Sequence, residues 1–337
     1  MGVSNVNADL LETDLAIVGG GGAGLMAAMV AREQYPGLRV TVLEKADVRR
    51  SGCLAMGLNA INLYLGKSSP EAYADYVAKD NYGVVRRDLL VQMGGRVNAM
   101  TERLVDLGVP FPRENGDFVY RSKRSIAMHG ERLKPLLAKG AVTAGAEIRN
   151  HTPVYDLLVN DVGECTGVLA LDLRAQRPLI VRAKATILAT GGASGIYRPS
   201  SPGTARKKTW YCPYNAGGGL AMGIRAGAEM TSFEMRFVAL RTKDVIAPTG
   251  TLAFTRRVCQ RNSKGDAYIK LKQEMIGRPL TTAERLSATV EENRIGSGPC
   301  QMDLSALSAA EYDNLMASYL EMAPGIVLLM SEQSATT

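Results

Sequence analysis

The feature that most constrains the fold is a run of glycines directly after a short apolar stretch. Asp14-Leu-Ala-Ile-Val18 is followed without a break by Gly19-Gly20-Gly21-Gly22-Ala23-Gly24, which contains G-x-G-x-x-G at Gly19, Gly21 and Gly24. An apolar run of this length bounded by a turn reads as a buried parallel strand. Leu25 to Glu33 then reads as a helix with small residues toward the sheet, and Arg39-Val-Thr-Val-Leu43 as a second strand ending on Glu44. Each glycine has its own reason: Gly19 permits the tight turn, Gly21 lets backbone approach a diphosphate, and Gly24 lets the helix pack against the strand. The helix start offers free N–H groups to phosphate oxygens, and Glu44 stands where a carboxylate can accept hydrogen bonds from ribose hydroxyls. Without a ligand, so many adjacent flexible glycines cost backbone entropy to no purpose. The stretch therefore predicts a βαβ unit that binds a dinucleotide.

A nicotinamide cofactor would satisfy the same pattern. What favours a flavin is a second unit of this kind, Ala185-Thr-Ile-Leu-Ala-Thr190-Gly191-Gly192, which reads as another buried strand running into a Gly-Gly turn. Two strand–turn units far apart in one chain are similar to FAD-binding enzymes rather than to NAD dehydrogenases.

The chain has 337 residues, enough for two domains, and at 46% hydrophobic and 22% charged it has the composition of a globular protein. The net charge of +7 comes without any block of five or more Lys/Arg, which argues against nucleic acid and for an anionic small-molecule substrate or an acidic electron-transfer partner. The five cysteines, Cys53, Cys165, Cys212, Cys259 and Cys300, are too dispersed for iron–sulfur or zinc spacing. They read as reduced thiols of a cytoplasmic protein. Met1 to Leu11 lacks the basic start of a signal peptide, and no apolar run approaches the ~20 residues of a membrane span.

Further along, Ser69 to Gly108 predicts helices with an apolar stripe through Leu89, Leu90, Met93, Val97, Met100, Leu104 and Leu107. Leu157 to Arg182 predicts a β-meander turning at Gly163-Glu164, and Thr282 to Asn293 and Ala309 to Leu320 predict two more helices.

Several stretches together carry a family resemblance. Glu44-Lys-Ala-Asp-Val-Arg-Arg50-Ser51-Gly52, Ala55-Met-Gly57-Leu-Asn59-Ala-Ile-Asn62, His129-Gly-Glu131 with Lys134-Pro135, and Ala189-Thr-Gly-Gly-Ala193 are among them. Others are Thr209-Trp210-Tyr211, Arg236-Phe-Val, Arg241-Thr-Lys243-Asp244, and Gly298-Pro299 before Met302-Asp303. This pattern resembles the succinate dehydrogenase/fumarate reductase flavoproteins, and within them the adenylylsulfate reductase alpha subunits.

The resemblance implies a Rossmann-like α/β FAD-binding domain over residues 11–235, with a parallel sheet and a β-meander. It also implies an α+β capping domain over 236–337, here incomplete. FAD contacts are implied at Gly19, Gly21, Gly22, Ala23, Gly24, Glu44, Lys45, Ser51, Gly52, Gly57, Leu58, Asn59, Val154, Thr190, Gly191 and Gly192. Gly52 stands where covalent members carry a flavin-linking His, so FAD is expected to be non-covalent. Asn62, Trp210, Arg241 and Phe254 match places around the flavin ring and substrate. Arg241 would clamp the anion, since a planar guanidinium meets two oxygens at once, and Phe254 stands where the family has an aliphatic residue. Each also has an ordinary structural reading. His129 reads as structural or near the flavin. The glycine-rich stretch from Asn215 to Gly227 reads as a helix start near the flavin.

The implied activity is reduction of adenylylsulfate to AMP and sulfite at flavin N5, with electrons from a separate iron–sulfur subunit. Hydride transfer to an activated alkene, as in fumarate reductases, and a flavin electron-transfer subunit without its own substrate remain open. The family's alpha subunit is longer, and its catalytic His and helical C-terminal domain fall beyond this sequence.

Overall fold

The computed structural model of the chain describes residues 8–56, 58–197, 203, 208–233, 240–247, 249–255 and 258–322. They fall into two compact units, the first drawn from 1–77, 85–197 and 211–232 and the second from 78–84, 198–210 and 233–337.

The first unit is organised by the strand that precedes the glycines. β1 (Asp9–Val18) is flanked by β2 (Val40–Leu43), which continues to β3 (Glu147–Arg149), and on its other edge by β6 (Arg177–Leu188), followed by β5 (Cys165–Asp172) and β4 (Val154–Val159). β3, β2, β1 and β6 run parallel, while β6, β5 and β4 form an antiparallel meander. Successive side chains of a strand point to opposite faces, and β1 feeds two cores accordingly. Leu15 and Ile17 join Val40 and Val42 beneath Leu25, Ala28 and Met29 of α1 (Gly22–Gln34) and Leu137 and Ala141 of the helix Leu133–Thr143. Ala16 and Val18 join Leu43, Val168, Val181 and Met222 on the other face. Truncating a fully buried residue such as Ile17 costs about 2–5 kcal/mol in cores of this kind. A sheet covered on both faces needs such continuous apolar strands.

Three sequence expectations are corrected here. Ala185–Leu188 is not a separate buried strand. It is the end of the 12-residue β6, which pairs with β5 only as far as Arg182 but with β1 up to Leu188. That second edge is unpaired among the described residues; Ile187 and Leu188 are exposed, Leu188 in the wall of a cleft. The helix after the glycines starts at Gly22 rather than Leu25, because tertiary packing overrides the poor helix propensity of Gly22 and Gly24. The stripe on the helix Arg87–Asp106 does not face the core as a whole. Leu89 and Met93 are exposed, Gly94 and Thr101 are its buried residues, and only Leu104 and the following Leu107 reach the core. Gly94 is there because Pro70 packs close, 3.1 Å from where a Cβ would stand.

In the second unit the short strands Cys259–Arg261 and Gln301–Asp303 pair antiparallel. One core gathers Val245, Leu252, Ala253, Leu315 and Tyr319, with Trp210 packed against it. A smaller one gathers Tyr268, Ile269, Leu280 and Ala288. The helices expected near 282 and 309 are Thr282–Arg294 and Ala309–Met322. Thr281 and Glu284 close a reciprocal capping box at the start of the first. Among the described residues no helix is long and apolar enough to cross a membrane.

Candidate functional site

A cleft of about 650 Å³ lies in the first unit at the carboxyl ends of β1, β2 and β6. This is where open parallel sheets bind ligands, and the volume is that of a cofactor site. Gly19, Gly21, Gly22 and Ala23 line one wall, and Glu44 and Lys45 the end of β2. Ser51 to Leu54, Pro153-Val154, Leu188 to Gly192 and Tyr214 to Gly219 complete it.

The glycines divide by what surrounds them. A Cβ on Gly19 would stand 2.5 Å from the Ala189 carbonyl oxygen, and one on Gly24 only 2.0 Å from that of Gly19. These two are glycine because the protein's own backbone leaves no room. A Cβ on Gly21 would meet nothing nearer than Ala189 O at 3.9 Å, and Gly21 has φ −76°, open to any residue. The fold does not require glycine at Gly21; a ligand approaching the backbone does. As the residue before α1, it stands beside the helix N–H groups that have no intrahelical partner.

Glu44 is buried at 6% exposure, with one carboxylate oxygen accepting the N–H of Gly20 at 2.9 Å and the other that of Ala46 at 2.9 Å. These bonds tie the end of β2 to the glycine turn and leave lone pairs for ribose hydroxyls. Lys45 donates to the Tyr214 carbonyl. Ser51 Oγ is buried in the cleft wall without a hydrogen-bond partner among the described residues, a hydroxyl that a bound ligand would satisfy. Lys134, 1% exposed, reaches the same turn and donates to the Gly20 carbonyl. Burial pushes its pKa down, against the opposing pull of Glu44 and Asp47. A glycine cradle, a helix start, a ribose-ready carboxylate and an orphaned hydroxyl fit a dinucleotide cofactor.

Of the sequence-derived cofactor residues, Gly19, Gly21, Gly22, Ala23, Glu44, Lys45, Ser51, Gly52, Val154, Thr190, Gly191 and Gly192 line this cleft. Gly24 lies behind it, where it lets α1 pack on the turn. Leu58 is partly exposed, its backbone carbonyl accepting from Gly130, and Asn59 accepts from Arg121 at 2.8 Å. Gly57 lies outside the described residues. Asn62 accepts from Ser125 at 3.2 Å, beside the small sheet of Ala60–Ile61, Tyr120–Ser122 and Ser125–Ala127. Trp210 and Arg241 belong to the second unit, where Arg241 donates to the Lys208 carbonyl at 2.9 Å. Phe254 is in the short helix Thr249–Thr255, and its side chain lies outside the described residues. His129 is exposed and does not line the cleft.

Sequence reasoning missed the parts of the wall that come from elsewhere in the chain. Cys53 and Leu54 directly follow the assigned Ser51 and Gly52, and Lys134 stood in a stretch carrying the resemblance but was given no role. For Lys134 the hint was a lysine in the first turn of a helix, beside leucines that face the core.

The FAD binding domain family matches residues 14–246. The chain is 31% identical to the adenylylsulfate reductase alpha chain of Megalodesulfovibrio gigas, over 93% of this chain and 52% of that one. It is 29% identical to the flavoprotein of 8-methylmenaquinol:fumarate reductase of Wolinella succinogenes, over 66% of this chain and 37% of that one. The structure of adenylylsulfate reductase from Archaeoglobus fulgidus superimposes with a TM-score of 0.87 at 31% identity, over 98% of this chain and 56% of that one. The chain thus spans about half the length, or less, of the curated relatives it matches. With the glycine turn, Glu44 and the Thr190–Gly192 turn gathered around one cleft, the chain belongs to the FAD-binding flavoprotein family that includes the adenylylsulfate reductase alpha subunits and the fumarate reductase and succinate dehydrogenase flavoproteins.

Proposed function

We propose that this chain is the FAD-carrying part of an oxidoreductase that reduces adenylylsulfate to AMP and sulfite. The observation that carries this reading over fumarate reduction is extent. Sequence likeness to the adenylylsulfate reductase alpha chain covers 93% of the chain, whereas the sequence match to the fumarate reductase flavoprotein covers 66% of it. On this reading residues 11–235 are the FAD-binding domain and 236–337 part of a capping domain, in a cytoplasmic protein.

Bound FAD supplies the two-electron redox chemistry. The chain's residues bind and orient it. The turn at Gly19–Gly24 and the start of α1 take the diphosphate, Glu44 the ribose, and the Val154 backbone the adenine. Lys45, Ser51, Gly52, Gly57, Leu58, Asn59 and Thr190–Gly192 complete the contacts. FAD is held non-covalently, because Gly52 has no side chain to link it; acid precipitation should leave all yellow colour in the supernatant. Arg241 binds the anionic group of the substrate, and Asn62, Trp210 and Phe254 are the other residues assigned to flavin and substrate. Electrons arrive from a separate iron–sulfur subunit, since the five cysteines are dispersed along the sequence.

The test is turnover. The protein extended to the full length of its relatives and loaded with FAD, supplied with a reduced viologen dye, should form AMP and sulfite from adenylylsulfate. Succinate from fumarate without sulfite release would replace this reading with the alkene-reducing one. Flavin reduction with neither product would make the chain an electron-transfer module.

A further inference from the structure

We propose that Lys134 is an anion ligand of the cofactor cleft, a buried ammonium kept at the glycine turn to neutralise the diphosphate of the bound dinucleotide. The inference rests on the flavin assignment and goes beyond it. Lys134 enters from the helix Leu133–Thr143, more than a hundred residues along the chain from the turn it touches.

Gly20 is held from two sides by opposite charges. Glu44 accepts its N–H at 2.9 Å, and Lys134 donates to its carbonyl. Lys134 Nζ has three N–H donors; among the described residues it has one hydrogen-bond acceptor, a neutral carbonyl, and no ion-pair partner. At 1% exposure it is one of the largest fully buried side chains of the molecule. A buried ammonium so incompletely compensated is an unfavourable way merely to brace a turn. The placement becomes favourable when an anion joins it, and Lys134 lines the cleft together with Gly21, Gly22 and Glu44. The helix start beside it selects phosphate oxygens. The ammonium also offsets the Glu44 carboxylate, which would otherwise repel a diphosphate from the same turn.

The distinguishing experiment compares the parent chain with Lys134→Met, both stripped of FAD. Binding of FAD, ADP and the uncharged control adenosine is titrated at low and high salt, and apo thermal unfolding is recorded. Lys134→Met should bind FAD and ADP about tenfold or more weakly at low salt, since a charge-assisted contact is lost, with a shallower salt dependence. Adenosine affinity should stay the same, and the apo melting temperature should be unchanged or higher. Unaltered FAD and ADP affinity would overturn the proposal. A parallel fall in ADP and adenosine binding with a lower melting temperature would overturn it too, by making Lys134 a brace for the turn. A parent that binds no FAD at all would defeat the flavin assignment itself, an outcome separate from these.

Discussion

The Glu44 carboxylate accepts the backbone N–H of Gly20 at 2.9 Å, and its second oxygen accepts that of Ala46 at the same distance. The residue expected to face the ribose is therefore also a strut between β2 and the glycine turn. Glu44→Ala orphans the buried Gly20 donor, which costs about 1–3 kcal/mol, whereas the N–H of the exposed Ala46 can turn to water. The expected outcome is a lower apo melting temperature together with loss of FAD on gel filtration. Loss of FAD with unchanged apo stability would restrict Glu44 to the ribose; unchanged FAD retention would remove it from the site.

Gly21 and Gly24 should respond in opposite ways to a single methyl group. In Gly24→Ala the new Cβ would stand 2.0 Å from Gly19 O, an overpacking that costs about 1–3 kcal/mol or more. In Gly21→Ala the nearest atom is 3.9 Å away, so apo stability should stay within about 0.5 kcal/mol of the parent. FAD affinity should nonetheless fall in Gly21→Ala, because the methyl occupies the approach of the diphosphate. Chemical unfolding of the apo forms, with flavin fluorescence titration, reads both effects. Equal loss of apo stability in the two variants would contradict this division.

The capping box of the helix Thr282–Arg294 should make its stability depend on acid pH. The Arg278 guanidinium, at 2.6 Å, and the Thr281 N–H, at 2.8 Å, hold the Glu284 carboxyl down at about 2, from an ordinary value of 4.5. A folded pKa below the unfolded one means that the ionised form stabilises the fold. The contribution is fully present above pH 4.5 and is lost as the pH falls through about 2. Hydrogen exchange of this helix should be faster in Glu284→Gln than in the parent by about 1 kcal/mol of local opening free energy at neutral pH. That difference should shrink below pH 4.5. A difference independent of pH would mean that the charge plays no part in the cap.

Arg241 donates to the Lys208 carbonyl at 2.9 Å. If its guanidinium also takes the substrate anion, Arg241→Lys should abolish most of the binding, because an ammonium is a point charge and cannot meet two oxygens in a plane. A surface interaction, worth about 0–1 kcal/mol, would tolerate the exchange. Titrating sulfite or adenylylsulfate against the FAD-loaded protein and following the flavin absorbance separates the two. Spectral changes at the same ligand concentration in the parent and the variant would rule out the anion clamp.

The glycine turn, the strand before it and the acid after it were legible in the sequence because each answers a local demand. A tight turn, a close backbone approach and a carboxylate at a strand end are set within a few dozen residues. The helices near 282 and 309 were legible for the same reason, from local sequence. What the tertiary structure decided is which distant segments meet. Leu188 is exposed because the end of β6 forms part of the cleft wall. The half-buried stripe on the helix Arg87–Asp106 follows from where Pro70 packs on Gly94. Lys134 became part of the site only because the helix Leu133–Thr143 packs on α1 and brings its ammonium to Gly20. A buried charge has no sequence signature of its own, since its environment is made entirely of residues far away along the chain.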